Sequence, residues 1–310
     1  MTTRRAMPPD FSGLVIAAHG RHYRVMLPDG SELQCFTRGK KSEAVCGDQV
    51  EVHKQGAEGG VIEAIAPRRT LFYRSNAIRQ KRIAANVDQV LLVVAVTPTF
   101  SGELLARCRI ATRQQGMDCL ILLNKCDLAE GLPAARKRLR DVLGEDGEIL
   151  EISALNVVQT VKTLIPRLQN KVSLLVGQSG MGKSTLINAL VPEAEAATGT
   201  LSRALDSGRH TTTAARLYFL AAGTGTLAER RAGGCLIDSP GLQVFGLAHL
   251  EPAELEAAFM EFQPFLGQCR FRDCRHENEP DCALRSAVEA GKISAQRFAQ
   301  YRAIRAEMTR

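Results

Sequence analysis

The chain has 310 residues, 45% of them hydrophobic and 24% charged, which allows roughly two or three domains and excludes disorder and collagen-like repeats. Its longest apolar run, Val90–Val96, falls far short of the ~20 residues of a membrane helix, and Met1–Asp10 carries two arginines without an apolar signal core behind them. The net charge of +7 is uneven: residues 1–86 hold 14 Lys+Arg against 8 Asp+Glu, a lean toward polyanions that solvated surface charge would also produce.

In chain order, Leu14–Ala17, Tyr23–Leu27, Glu32–Phe36, Gln49–His53 and Val61–Ile65 read as short strands, with turn signals at Pro28-Asp29-Gly30 and Gly47-Asp48. Five strands in under 60 residues point to a small closed barrel, of which the OB-fold is the common five-stranded form. A small sandwich or an SH3-like barrel competes with it on pattern alone. Between Pro67 and Asn86 the pattern lapses and Arg68, Arg69, Arg74, Arg79, Lys81 and Arg82 crowd in, which reads as a basic linker over residues 68–86.

From residue 87 strands and helices alternate. Gln89–Val96, Cys119–Leu123, Glu148–Ile152, Val172–Val176, Ala214–Leu220 and Cys235–Ile237 read as strands, and Glu103–Gln115, Pro133–Leu143, Val157–Leu168 and Lys183–Leu190 as helices. Continuous apolar strands between amphipathic helices predict a parallel α/β sheet covered on both faces. After Leu250 a helical stretch, Pro252–Phe262, leads into a cysteine cluster. A last helix is expected from a Ser294 cap, with Phe298, Tyr301, Ile304 and Met308 on one stripe and Arg297, Arg302 and Arg305 off it.

Gly177-Gln178-Ser179-Gly180-Met181-Gly182-Lys183-Ser184 fits G-x-x-x-x-G-K-[ST] and stands between an apolar strand and a helix, the context the motif requires. Glycines let successive N–H groups face phosphate oxygens at a helix N-terminus. Lys183 reaches the terminal phosphates, and the Ser184 hydroxyl is a Mg²⁺ ligand. Asn124-Lys125-Cys126-Asp127 closes the strand Cys119–Leu123, where a carboxylate can accept two hydrogen bonds from guanine that adenine cannot donate. Ser153-Ala154-Leu155 closes the next strand and offers a backbone N–H to the guanine carbonyl. Together these select GTP over ATP. Asp238-Ser239-Pro240-Gly241 fits DxxG, in which Asp238 organises Mg²⁺ through water and the Gly241 N–H senses the γ-phosphate. The polar stretch Thr198–Thr213 contains Gly208-Arg209-His210-Thr211-Thr212-Thr213, and of its threonines Thr212 is favoured as the second hydroxyl on Mg²⁺.

The order of these elements is unusual: NKxD and SAL precede the phosphate loop, and DSPG comes last. The domain is therefore circularly permuted, which re-cuts loops while leaving the sheet core unchanged. The segment after DSPG then runs directly into the C-terminal region and is expected to couple nucleotide state to its placement. Leu242 stands where Ras-like enzymes have the glutamine that orients water, and Gln243 is one position off, so unassisted hydrolysis is expected to be slow. His210 is the candidate catalytic replacement, its plain alternative being a solvent-exposed switch residue.

Cys269-x₄-Cys274-x-His276-x₅-Cys282 offers three thiolates and an imidazole within 14 residues. That set suits one structural, tetrahedral Zn²⁺. The alternative, buried free thiols, fits poorly with the polar neighbours Arg270, Arg272, Asp273, Arg275, Glu277, Asn278 and Glu279. The other six cysteines read as apolar filler.

A basic small barrel, the permuted order NKxD–SAL–GxxxxGKST–GRHTTT–DSPG and C-x₄-C-x-H-x₅-C together resemble the bacterial small-ribosomal-subunit-dependent GTPases of the RsgA (YjeQ) family, over essentially the whole chain from about residue 11. The resemblance implies an OB-fold over 11–67, a permuted P-loop GTPase domain over 87–250 and a helical zinc domain over 251–310. It implies a late checkpoint in small-subunit maturation, with GTP hydrolysis stimulated by the subunit and its rRNA and coupled to release, by a cytoplasmic monomer with no membrane partner. Carried onto this chain, Asn124–Asp127 contact guanine, Gly177–Thr185 the phosphates, and Cys269, Cys274, His276 and Cys282 zinc; the family's switch histidine falls on His210. Two features depart from the family pattern: few residues precede the barrel, and the loop Ala221–Gly234, with its Arg230-Arg231 pair, is longer than expected. Few aromatics (Tyr23, Phe36, Phe72, Tyr73) occur in residues 12–86, which favours recognition of RNA by shape and phosphate over base stacking. Two rival readings are an RNA-binding scaffold with GTP as a structural ligand and a GTP-dependent metalloenzyme with a catalytic zinc.

Overall fold

The computed structural model describes residues 11–38, 44–56, 59–75, 80–144, 147–191, 215–220, 225–239, 247 and 250–308. The first five strands are β1 (Phe11–His19), β2 (His22–Met26), β3 (Glu32–Thr37), β4 (Gln49–Gln55) and β5 (Gly59–Ile65). Their period-2 alternation puts Leu33 and Cys35, then Val50 and Val52, on one face. That face closes around Val15, Tyr23 and Val25. Strand order β1-β2-β3-β5-β4 returns to β1 through the antiparallel β1–β4 pairing, with β3 and β5 parallel. A closed five-stranded barrel results, and the sandwich alternative falls.

Residues 68–86 are more than a linker. They contain an antiparallel hairpin, β6 (Leu71–Ser75) and β7 (Gln80–Ala85), whose Phe72, Ile83 and Ala84 are buried in the main core. A register shift at Phe72–Tyr73 and the basic residues hide its period from a sequence reading. Two of those basic residues are engaged within the chain, Arg68 facing inward and Arg69 at the surface. Arg68 grips the buried Asp48 carboxylate with Nε (2.7 Å) and Nη2 (2.8 Å), while Val45 N–H donates to the same group. Arg69 pairs with Asp88 (2.9 Å), and Asn86 donates to the Gly47 carbonyl. The junction between barrel and sheet is a hydrogen-bonded joint.

The second sheet comprises β8 (Gln89–Ala95), β9 (Asp118–Asn124), β10 (Glu148–Glu151), β11 (Val172–Val176), β12 (Arg216–Phe219) and β13 (Cys235–Asp238), in the order β10-β9-β8-β11-β13-β12. Helices α1 (Gly102–Gln114), α2 (Leu132–Leu143) and α3 (Val157–Leu168) connect its first four strands, and α4 (Lys183–Leu190) follows β11. Five strands are parallel, as expected. β12 is not: it runs antiparallel to β13, and an apolar run specifies a strand without its direction. β12 also meets the barrel, through Ala17 opposite Arg216 and Ala18 N–H donating to the Ala215 carbonyl. Part of the long loop before β13 forms α5 (Leu227–Ala232), started by a Thr226–Glu229 capping box. Leu227 N–H donates to the Pro28 carbonyl, and the Arg230 guanidinium stacks 4.6 Å over Phe219 while reaching Met26. The loop braces sheet to barrel.

The C-terminal part is helical: α6 (Pro252–Ala257), a 3₁₀ segment (Met260–Phe265), α7 (Ala283–Glu289) and α8 (Ala295–Met308). The helix expected over Pro252–Phe262 stops at Ala258 because extended Phe259 turns its ring into a cluster with Phe262 and Tyr301. Arg297 also departs from expectation. It is buried, pairs with Glu261 (2.5 Å) and donates to the Val142 carbonyl at the end of α2. α8 is covered on two sides, so its apolar stripe understates its buried face. Among the described residues, no helix is long and apolar enough to cross a membrane.

Candidate functional site

The chain leaves β8 toward β9 and β10 on one side, then crosses to β11 on the other, so β8 and β11 flank a topological switch point. Ligands of open α/β sheets bind there, beyond the carboxyl ends of the strands. The phosphate loop follows β11 at that point. Its first glycine lies against β8, where a Cβ on Gly177 would stand 2.4 Å from the Val93 carbonyl oxygen. At Gly182, φ is +89° and a Cβ would meet Asn124 Nδ2 at 2.3 Å, so both backbone conformation and space require glycine. Ser179, Gly180, Ser184 and Thr185 are exposed around the cradle, whereas Met181 is buried beneath it. Lys183 Nζ donates to the Gly177 (2.7 Å) and Gln178 (2.9 Å) carbonyls, curling the loop around its own ammonium. Burial lowers the Lys183 pKa, opposed by Asp238.

The NKxD and SAL segments meet this loop. Asn124 is buried; its Nδ2 donates to the Met181 carbonyl (3.0 Å), and its Oδ1 accepts the Ala154 N–H (2.9 Å). One side chain thus ties together three segments far apart in sequence. Lys125, at φ 63°, donates from Nζ to the Gly180 carbonyl (2.8 Å). Cys126 N–H donates to the Ile152 carbonyl, joining the ends of β9 and β10. Asp127 is exposed, and Ser153 is half-buried. Asp238 ends β13 beside the phosphate loop, opposite Leu175 of β11. Burial pushes its carboxyl up to about 6 against the pull of Lys183, the profile of a carboxylate that gains from a dication. His210, Thr212, Pro240, Gly241, Leu242 and Gln243 lie outside the described residues.

The second constellation is in the C-terminal part. One ligand atom each from Cys269, Cys274, His276 and Cys282 lies within 4.8 Å of the others. His276 Nδ1 is 3.2 Å from Cys282 Sγ and 3.6 Å from Cys269 Sγ. Three thiols and an imidazole at this separation fit tetrahedral Zn²⁺ with a closed shell. Burial pushes the Cys274 and Cys282 thiols up, so loading the site is coupled to proton release.

Sequence reasoning missed the residues behind the ligands. Glu256 of α6 lies 3.4 Å from His276 Nε2 and accepts hydrogen bonds from Tyr301 (3.0 Å) and Arg305 (2.6 Å). Burial opposes its ionisation, but those three partners outweigh burial and hold its pKa below the usual value. The carboxylate fixes the proton on Nε2 and leaves Nδ1 for a metal, a common arrangement behind zinc-ligating histidines. Glu279 accepts N–H groups from Arg275 (2.9 Å), Glu277 (2.8 Å) and Asn278 (3.1 Å), shaping the loop between His276 and Cys282.

A five-stranded barrel, a nucleotide site assembled in permuted order and a helical Cys₃His domain define a circularly permuted GTPase. The family described as RsgA GTPase matches residues 65–248, and the chain belongs to it. It is 50% identical over 289 residues to the small ribosomal subunit biogenesis GTPase RsgA of Bordetella pertussis, covering 93% of each chain. It is 49% identical to the protein of the same name from Nitrosospira multiformis, covering 94% of this chain and 90% of that one. Among solved structures, YjeQ from Thermotoga maritima aligns with a TM-score of 0.69 at 29% identity, covering 96% of this chain and 98% of its own. YloQ, described as a circularly permuted GTPase, aligns at 0.65 and 25% identity over 100% of this chain and 98% of its own. The protein is accordingly a GTP-hydrolysing enzyme that uses GTP/GDP and Mg²⁺, with a Cys₃His cluster compatible with structural zinc.

Proposed function

We propose that this GTPase acts on the small ribosomal subunit during its biogenesis, binding subunit rRNA and hydrolysing GTP as a late checkpoint coupled to release. Support comes from relatives over nine-tenths of the chain whose name gives small ribosomal subunit biogenesis, together with Asn124 bridging the phosphate loop and the SAL backbone. In this reading Asp127 and the Ser153-Ala154-Leu155 backbone recognise guanine, and Gly177–Thr185 hold the phosphates. Asp238, Ser184 and Thr212 would hold Mg²⁺, which when bound neutralises charge on the β- and γ-phosphates. Water adds to the γ-phosphorus as the bond to the β–γ bridging oxygen breaks, with His210 orienting that water once the subunit has placed it. The protein works as a cytoplasmic monomer, with domain breaks near residues 86 and 250. A closed four-ligand shell backed by Glu256 favours structural over catalytic zinc.

GTP turnover measured alone and with purified small or large subunits tests this. Stimulation by the small subunit only is expected, with loss in Lys183→Ala and loss of the stimulated rate in His210→Ala. No stimulation by either subunit overturns the proposal and favours a scaffold that keeps GTP as a structural ligand.

A further inference from the structure

The second residue of the phosphate loop has a role that the nucleotide motif does not assign. Gln178 is half-buried, and its Oε1 accepts the backbone N–H of Ser101 at 2.6 Å. Ser101 is the N-cap of α1, its hydroxyl accepting the Leu104 N–H. A Cβ on Gly180 would lie 3.2 Å from the Pro98 ring, so the stretch before α1 meets the loop at a second point. Meanwhile Lys183 holds the Gln178 carbonyl. Residue 178 is therefore fixed at its backbone by the phosphate-binding lysine and at its side chain by α1.

The far part of α1 is held by the C-terminal domain. Arg113 Nη1 donates to the Ala258 carbonyl (2.9 Å), and Gln114 Nε2 to Glu254 of α6 (3.0 Å). Buried Arg107, midway, pairs with Glu307 of α8 (2.5 Å). α6 also carries Glu256, the carboxylate on His276. A 13-residue helix is a stiff rod of about 20 Å.

We propose that Gln178 is a positioning residue for the phosphate loop, seating it on α1, and that α1 is the strut through which nucleotide and the zinc domain influence each other. The proposal rests on the phosphate-loop reading above and differs from the expected route through the segment after DSPG. A seat of this kind matters because the cradle works by the aim of its N–H groups. Losing one neutral hydrogen bond behind it is expected to weaken binding about three- to tenfold. Coupling must also run in reverse: nucleotide that fixes the loop should fix α1 and slow zinc loss.

The test uses the zinc-loaded full chain, fluorescent GDP and GTP analogues for affinity, and the chelator 4-(2-pyridylazo)resorcinol for the rate of zinc extraction. Gln178→Leu keeps the bulk and removes the acceptor. It should weaken both nucleotides three- to tenfold and abolish the slowing of zinc extraction that nucleotide causes in the parent, leaving the nucleotide-free extraction rate unchanged. Ser101→Pro removes the N–H at a compatible φ of −76°, whereas Ser101→Ala removes only the cap. The proline variant should match Gln178→Leu after subtraction of the alanine effect, and the double variant should be no worse than either. Parent-like nucleotide affinity in Gln178→Leu overturns the proposal, even if Ser101→Pro fails to fold. So does zinc extraction that ignores nucleotide in the parent. Lys183→Ala separates the two readings, because parent-like guanine-nucleotide affinity there would instead overturn the phosphate-loop assignment.

Discussion

At the residue scale, the carboxylates around the metal cluster carry much of its stability. Glu256→Gln leaves the side-chain shape but removes the charge that His276 Nε2–H, Tyr301 and Arg305 all face. Loss of such a partner typically costs about 10–100-fold in metal affinity. Competition with a chelator of known affinity measures this, and unchanged affinity would leave Glu256 as packing alone. Glu279 differs in kind. Backbone N–H groups, Arg275 foremost, hold its pKa down to about 2, below the value of a glutamate in an unfolded chain. Its ordering of the loop is therefore complete above about pH 5 and is lost only as pH falls through about 2. Glu279→Gln should speed zinc extraction severalfold at pH 7.5, and the ratio to the parent rate should hold down to pH 5. A ratio already near one at pH 7.5 would leave Glu279 without a part in ordering the loop.

At the scale of elements, the joint between barrel and sheet depends on Arg68 more than its place in a basic run implies. Asp48 is fully buried beneath that guanidinium, and removing one partner of a buried pair strands the other charge. Arg68→Met should cost about 3 kcal/mol, whereas Arg69→Met, in a solvent-facing pair with Asp88, should cost about 1 kcal/mol or less. Urea unfolding of the two variants compares them directly, and equal losses would refute the joint. Arg68 also shows where a sequence reading stops. Strands such as Glu32–Thr37 and Gln89–Ala95 were legible because period and apolar runs are local properties, and the phosphate loop because its function fixes its spacing. The hairpin 71–85 was obscured by its irregular register. The direction of β12, the burial of Arg297 and the approach of Glu256 to His276 depend on partners 16 to 155 residues away, beyond the reach of a local pattern.

At the scale of the whole molecule, part of the basic complement of the barrel and hairpin is already paired with acids of the same chain. Arg24, Arg38, Arg68 and Arg69 are engaged with Glu32, Glu63, Asp48 and Asp88 in the free protein. Lys81 and Arg82, exposed at the start of β7, can turn to phosphates without breaking such pairs. Each phosphate contact releases condensed counterions, so it adds about 0.7–0.9 to the slope of log affinity against log salt. Lys81→Glu and Arg82→Glu should each lower that slope by about one for small-subunit binding and reduce stimulated GTP turnover, while nucleotide affinity without the subunit stays unchanged. Arg68→Met should do the opposite, lowering stability while leaving the salt slope intact. Titrations of labelled protein with small subunits at several salt concentrations separate the two. An unchanged slope in both β7 variants would place the phosphate contacts elsewhere on the barrel and leave the hairpin as part of the joint. The reason to expect otherwise is geometric: β7 runs from those two exposed cations into Ala84 and Ala85, which are fixed in the core against Cys46 and Gly47 of the barrel. RNA bound there would bear on barrel and sheet together.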